Sequence, residues 1–211
     1  MSMKQSKVVK KRKKSALPSK TIMKRNIREL WNEIPWDFYY KEKDWYWDCH
    51  KWCQSLADEK KLDLMCVVAC FSALSPQCSY KQNKLFCRAY FEGISKHTKT
   101  QIGKCDLISA MYGIDSHDNR KEYIRTVLGG EKTKDFFSAI LEPWNTETVV
   151  IDRHMLVIAG ITKPTVTAKQ YQAIKECYLE IAEENNISGN ELQSGLWVWK
   201  RQQKHGYSKY D

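Results

Sequence analysis

The sequence has no Asp or Glu before Glu29, although 11 Lys and Arg residues precede that position. The remaining 24 of its 35 basic residues face 25 acidic ones, so the excess of positive charge is confined to the N-terminal stretch. No apolar run reaches the ~18 residues of a membrane-crossing helix. The longest, Leu64 to Leu74, suits a central buried helix. The N-terminal stretch also lacks the apolar segment of a secretory signal. None of the eight cysteines stands in Cys-x-x-Cys spacing, which argues against a zinc knuckle, so no metal site is expected. Strand-type alternation is absent too, and glycine and proline are sparse, at 9 and 5 of 211 residues.

What is present points to a folded, helical, reducing-compartment protein. Apolar residues make up 42% of the chain, enough for one domain with a real core, or two small lobes sharing one. Cys49 with Cys53, and Cys66 with Cys70, lie four apart, so each pair shares an apolar helix face and reads as buried free thiol. Helical periodicity dominates. A helix over 26–41 is broken at Pro35. Another carries Trp45, Cys49, Trp52, Cys53 and Leu56 on one stripe. The helix over 62–74 is apolar all round and stops at Ser75-Pro76. Further helices end at Gly93, Gly113 and Gly129-Gly130, and another at Pro143. Thr167 with Gln170, and Ser188 with Glu191, have capping-box spacing and open the last two. The expectation is an all-α fold of about ten helices: a disordered basic arm over 1–25, then a single domain over 26–211.

The arm, with Lys11, Arg12 and Lys13 at its centre, is suited to neutralising phosphates in a salt-dependent, sequence-independent way. A solubilising tail or a nuclear import signal is the alternative. Nine aromatics crowd the 22 residues from Trp31 to Trp52. They read either as core of an N-terminal lobe or as platforms for a base. Near the other end, Trp197 and Trp199 with Lys200, Arg201 and Lys204 make a helix with one docked face and one solvated or DNA-facing face.

The most informative stretch is Thr148 to Gly160, where seven of thirteen residues are Val, Ile, Leu or Met and Asp152, Arg153 and His154 interrupt them. Buried polar groups are costly without partners. Asp152 is well placed to cap a helix through Ala159. It is equally a carboxylate held in a low-dielectric wall, where its charge counts most. Lys132 opens a helix straight after Gly129-Gly130. It reads as a solvated lysine, or as an amine whose proton is disfavoured by the positive end of the helix. Gln77 is a polar helix terminus or a side chain aimed at a ligand. His154 is a structural histidine or a phosphate contact.

Three of these segments, taken in order, resemble the helix-hairpin-helix DNA glycosylases, the superfamily of endonuclease III and 8-oxoguanine DNA glycosylase. Leu74-Ser75-Pro76-Gln77 is similar to the family's Leu-Ser-x-Gln turn. Leu128-Gly129-Gly130-Glu131-Lys132-Thr133 is similar to its Leu-Pro-Gly-x-Gly-x-Lys-Thr hairpin. Ile151-Asp152-Arg153-His154 is similar to its Val-Asp-x-His helix start. The likeness covers 62–160. The chain also looks like a group of small phage proteins of this fold.

The resemblance implies two helical lobes with the active site between them, and double-stranded DNA as partner. Asp152 and Lys132 become the catalytic residues. Gln77 fills the gap left by an extruded base, and Gly129, Gly130, Thr133, Arg153 and His154 join the DNA-binding surface. Base excision, with lyase activity through Lys132, is the implied reaction. Some phage relatives look instead like transferases acting on hypermodified thymine, and a non-catalytic DNA-binding module is the third reading. Only Cys177 follows Asp152, so no iron–sulfur cluster is expected, nor any other cofactor. An intracellular location follows, in the cytoplasm of a bacterial host for a phage protein and the nucleus for a eukaryotic one. The hairpin is one or two residues shorter than the family's, and Arg153 replaces a small or apolar residue.

Overall fold

The computed structural model describes residues 17–205, and Lys11, Arg12 and Lys13 lie outside them. The described residues form eleven α-helices and no strand, an all-α architecture. In chain order these are α1 (Lys20–Asn32), α2 (Trp36–Glu42), α3 (Trp45–Lys60), α4 (Leu64–Leu74), α5 (Tyr80–Phe91) and α6 (Lys99–Ser109). A single 3₁₀ turn over Ala110–Gly113 leads to α7 (His117–Leu128) and α8 (Glu131–Leu141). The chain ends with α9 (Arg153–Ile158), α10 (Ala168–Glu184) and α11 (Gly189–His205). No helix among them is long and apolar enough to cross a membrane.

Local chemistry sets the boundaries. Reciprocal side-chain-to-backbone bonds open α5 (Ser79 and Gln82) and α10 (Thr167 and Gln170). Ser188 and Glu191 do the same for α11. Such caps satisfy amides that have no partner within the helix. Pro35 separates α1 from α2, as the sequence predicts, but α1 begins at a Ser19 cap, inside the expected arm. The arm's limit at residue 25 is therefore corrected: Lys20 and Lys24 belong to the folded domain. Their charge is matched by α10, where Lys24 reaches Glu180 at 2.9 Å and Glu184 at 2.8 Å, and Lys20 also pairs with Glu180.

Two hydrophobic cores divide the helices. The first is built around α4, whose residues Met65 to Leu74 are all buried, and is closed by α3, α5, α6, α7 and α8. We refer to this as the middle lobe. The second joins α1 and α2 to α9, α10 and α11, and so draws on both ends of the described chain. This is the terminal lobe. The aromatic-rich segment is accordingly not one N-terminal lobe: Trp31 and Tyr39 belong to the second core, and Tyr46 and Trp52 pack in the first. Trp36 and Tyr40 remain exposed. Each large apolar side chain buried in these cores contributes on the order of 1.5–3 kcal/mol.

One glycine fixes how the terminal lobe meets the segment before Asp152. A Cβ on Gly189 would stand 2.5 Å from Val149 Cγ2 and 2.7 Å from the Thr148 carbonyl oxygen. Its amide donates to the Thr146 carbonyl at 3.0 Å. The start of α11 is thus pressed against the strip that leads into α9.

Candidate active site

The two lobes meet at a cleft of about 420 Å³. The middle lobe lines its side with rings: Trp45 on α3, Phe71 on α4, Tyr80 on α5 and Phe136 on α8. Phe71 and Phe136 stack with centroids 6.1 Å apart, and Trp45 lies 5.4 Å from Tyr80 and 6.0 Å from Phe136. The terminal lobe contributes Asp152, His154, Gln193, Ser194, Trp197 and Arg201. Trp45 and Trp197, 5.8 Å apart, bridge the two sides.

Asp152 is the N-cap of α9, and its Oδ1 accepts from the Met155 amide at 2.9 Å. Its Oδ2 accepts from the Trp197 indole N–H at 2.8 Å. The capping role and a place in the cleft therefore coincide. Two donors converge on one side chain, and only a group with two acceptor oxygens satisfies both. Trp197 is itself held in place: the Arg201 guanidinium lies 4.4 Å from its ring centroid, and His154 meets it edge to face at 6.2 Å. The spacing of Ser194, Trp197 and Arg201 places them on one face of α11, as three- and four-residue steps do.

The Leu74–Gln77 turn forms the rim. Pro76 cannot continue the backbone ladder, and α4 ends on the Ser75 hydroxyl, which donates to the Ser72 carbonyl at 2.9 Å. Gln77 then adopts a left-handed conformation, φ 64°, and is exposed at the cleft. Cys78 follows. Its thiol donates to the carbonyls of Leu74 at 3.3 Å and Ser75 at 3.2 Å, and burial pushes its pKa up to about 11, with the nearby Lys132 charge pulling the other way. That thiol stays protonated at neutral pH and is no nucleophile.

Lys132 lines the cleft from the first turn of α8, exposed and without an ion pair among the described residues. The preceding turn is tight. Gly129 has φ 83° and ψ −96°, a region closed to other residues, and Lys104 Nζ donates to the Leu128 carbonyl beneath it at 2.9 Å. Gly130 caps α8 with no side-chain bond, so no cap side chain occupies the first amides of the helix.

The structure therefore divides the residues singled out from sequence. Asp152, Lys132, Gln77 and His154 line one cleft. Gly129, Gly130, Thr133 and Arg153 do not; they lie around the mouths of α8 and α9, with Arg153 exposed. Tyr80, Phe136, Cys78, Gln193 and Ser194 also line the cleft, and the sequence reading passed over them. One signal was available for α11: polar Asn190, Gln193 and Ser194 are buried where helical spacing places an apolar stripe. Among the described residues no cluster of His, Cys, Asp or Glu is arranged to hold a metal.

The chain belongs to a family of unknown function, DUF7178, whose match spans residues 9–204. Neither among curated proteins nor among solved structures does any match appear.

Proposed function

We propose that this family member is a DNA base-excision N-glycosylase with a helix-hairpin-helix glycosylase-like fold. The observation that carries the reading is the convergence of Asp152, Lys132, Gln77 and His154, from three separate motifs, on one aromatic-walled cleft between two helical lobes. In this reading a base swings out of the duplex and stacks between the rings of the cleft. The N-glycosidic bond then breaks, its electron pair leaves on the base nitrogen, and the sugar C1′ becomes oxocarbenium-like. The Asp152 carboxylate, fixed by the Met155 amide and the Trp197 indole, stabilises that cation. Water completes the reaction at C1′, or the neutral Lys132 amine does so; as the new C–O or C–N bond forms, the nucleophile gives up one proton, and the departing base nitrogen takes one up. Gln77, on the rim, fills the vacated stack. The α7–α8 turn, whose Gly130 cap leaves the first amides of α8 without a side-chain partner, rests on a backbone phosphate.

A second reading keeps the site and changes the reaction to transfer onto a hypermodified thymine. Lys132 and Arg201 favour it, because they bring positive charge to the cleft from both lobes, as a pyrophosphate leaving group requires.

The test is mass spectrometry after incubation with duplexes carrying damaged or hypermodified bases, with Asp152→Asn alongside. The expected result is a free base released by the native protein and a rate lower by about 10³ in the variant. Altered nucleosides without base release would replace the glycosylase by the transferase. Binding without any chemical change would leave a DNA-holding module.

A further inference from the structure

Buried polar atoms without a hydrogen-bond partner are rare in folded proteins because each one costs desolvation with nothing in return. Ten side-chain atoms of the described residues are in that state, and four belong to residues of the cleft: Trp45 Nε1, Asn83 Oδ1, Gln193 Oε1 and Ser194 Oγ. Asn83, Gln193 and Ser194 are only 3%, 5% and 2% exposed, and they come from both lobes. None is explained by packing, since an apolar residue of similar size would fill each place.

Two of these atoms have a fixed polarity. Asn83 Nδ2 donates to the Phe71 carbonyl at 3.1 Å, so its amide cannot turn over and Oδ1 is left as an acceptor. The Trp45 indole N–H can only donate. Phe71, Tyr80, Phe136 and Trp197 line the same cleft with their rings. The combination suits a flat, neutral ring whose edge offers an N–H beside an acceptor atom.

We infer that the cleft reads the unsubstituted hydrogen-bonding edge of a neutral nucleobase, with Asn83 Oδ1 accepting its N–H and Trp45 Nε1 donating to the neighbouring acceptor. The inference rests on the reading that an extruded base occupies the cleft, and narrows its substrate class. Bases modified elsewhere on the ring are accepted. Bases alkylated on the pairing edge are rejected, because they leave Asn83 without a donor.

Free rings test this without any DNA. Uracil and the same ring methylated on both nitrogens differ only in the N–H groups. Their binding to the full chain is read by quenching of tryptophan fluorescence and by ligand-observed NMR. Uracil should bind at least about tenfold more tightly, the usual worth of leaving a buried acceptor unpaired. Asn83→Leu should abolish that preference, provided it melts cooperatively. Trp45→Phe keeps a ring in the wall, drops the N–H, and should weaken uracil severalfold even if the Asn83 variant does not fold. Equal binding of the two rings overturns the inference. So does a preference untouched by Asn83→Leu, or no binding of either ring by a chain that still binds duplex DNA. Uracil bound through Asn83 by a chain that ignores DNA would instead uphold the edge reading and remove the glycosylase.

Discussion

The two lobes are built by opposite strategies. The middle lobe is one stretch of sequence wrapped around α4, and its polar seams are local: Arg88 with Glu59 at 2.7 Å, Lys121 with Glu142 at 2.6 Å. The terminal lobe is sewn from segments at both ends of the described chain, and the bonds from Lys24 to Glu180 and Arg28 to Glu184 each span 156 residues. The middle lobe gives the cleft most of its rings and Lys132; the terminal lobe gives Asp152, His154, Trp197 and Arg201. The division is useful physically. A wall of packed rings is held by the core behind it, whereas the polar side is positioned by individual bonds, such as those of the Met155 amide and the Trp197 indole to Asp152.

The largest effect should come from cutting into each core. Phe71→Ala removes a fully buried ring from the middle lobe and should cost about 3–5 kcal/mol, seen as a lower denaturation midpoint. Met155→Ala, equally buried in the terminal lobe, should cost about 2–5 kcal/mol and expose the amides of α1 and α9 to hydrogen exchange before those of α4. Simultaneous exposure of α1 and α4 would erase the distinction between the lobes. Next comes Gly189→Ala, which forces a Cβ onto the Thr148 carbonyl and should cost about 1–3 kcal/mol on thermal unfolding.

A smaller and more local effect is expected at Asp152. Asparagine keeps the cap but turns an amide NH₂ toward one of the two donors, so Asp152→Asn should lose about 1–2 kcal/mol. Adding Trp197→Phe removes the stranded donor, so the double variant should lose less than the two single losses combined, which a thermodynamic cycle measures. The smallest effect is a titration. Cys78 should resist alkylation until pH nears 11, and Lys132→Met should move that point higher, since the lost cation no longer favours the thiolate. An unchanged Cys78 profile would put the Lys132 charge outside the cleft.

Much of this molecule is legible in its sequence because much of it is local. The caps at Asp152, Thr167 and Ser188, the break at Pro35 and the buried run of α4 follow from short-range rules and appear where those rules place them. The start of α1 is not legible, because Lys20 and Lys24 look like part of a basic arm until Glu180 and Glu184 are brought beside them. The second core is hidden for the same reason. Asp152 stands out because it interrupts an apolar run. Gln193 and Ser194 show in the sequence only as polar residues within a helical stripe, and that their unpartnered atoms share a cleft with those of Asn83 and Trp45 emerges only from the fold.

The long sequence span of the terminal lobe also sets an order of events during translation. The middle lobe can form on the nascent chain as soon as α8 has emerged. Helix α1, with Met23, Ile27, Leu30 and Trp31 on its apolar face, must wait for α10 and α11. Contacts closed over such distances form late and slowly. Until α11 is made, Asp152 lacks the indole that pins it. The nascent chain therefore holds the ring wall before the Asp152 side of the cleft, which is complete only once α11 has formed.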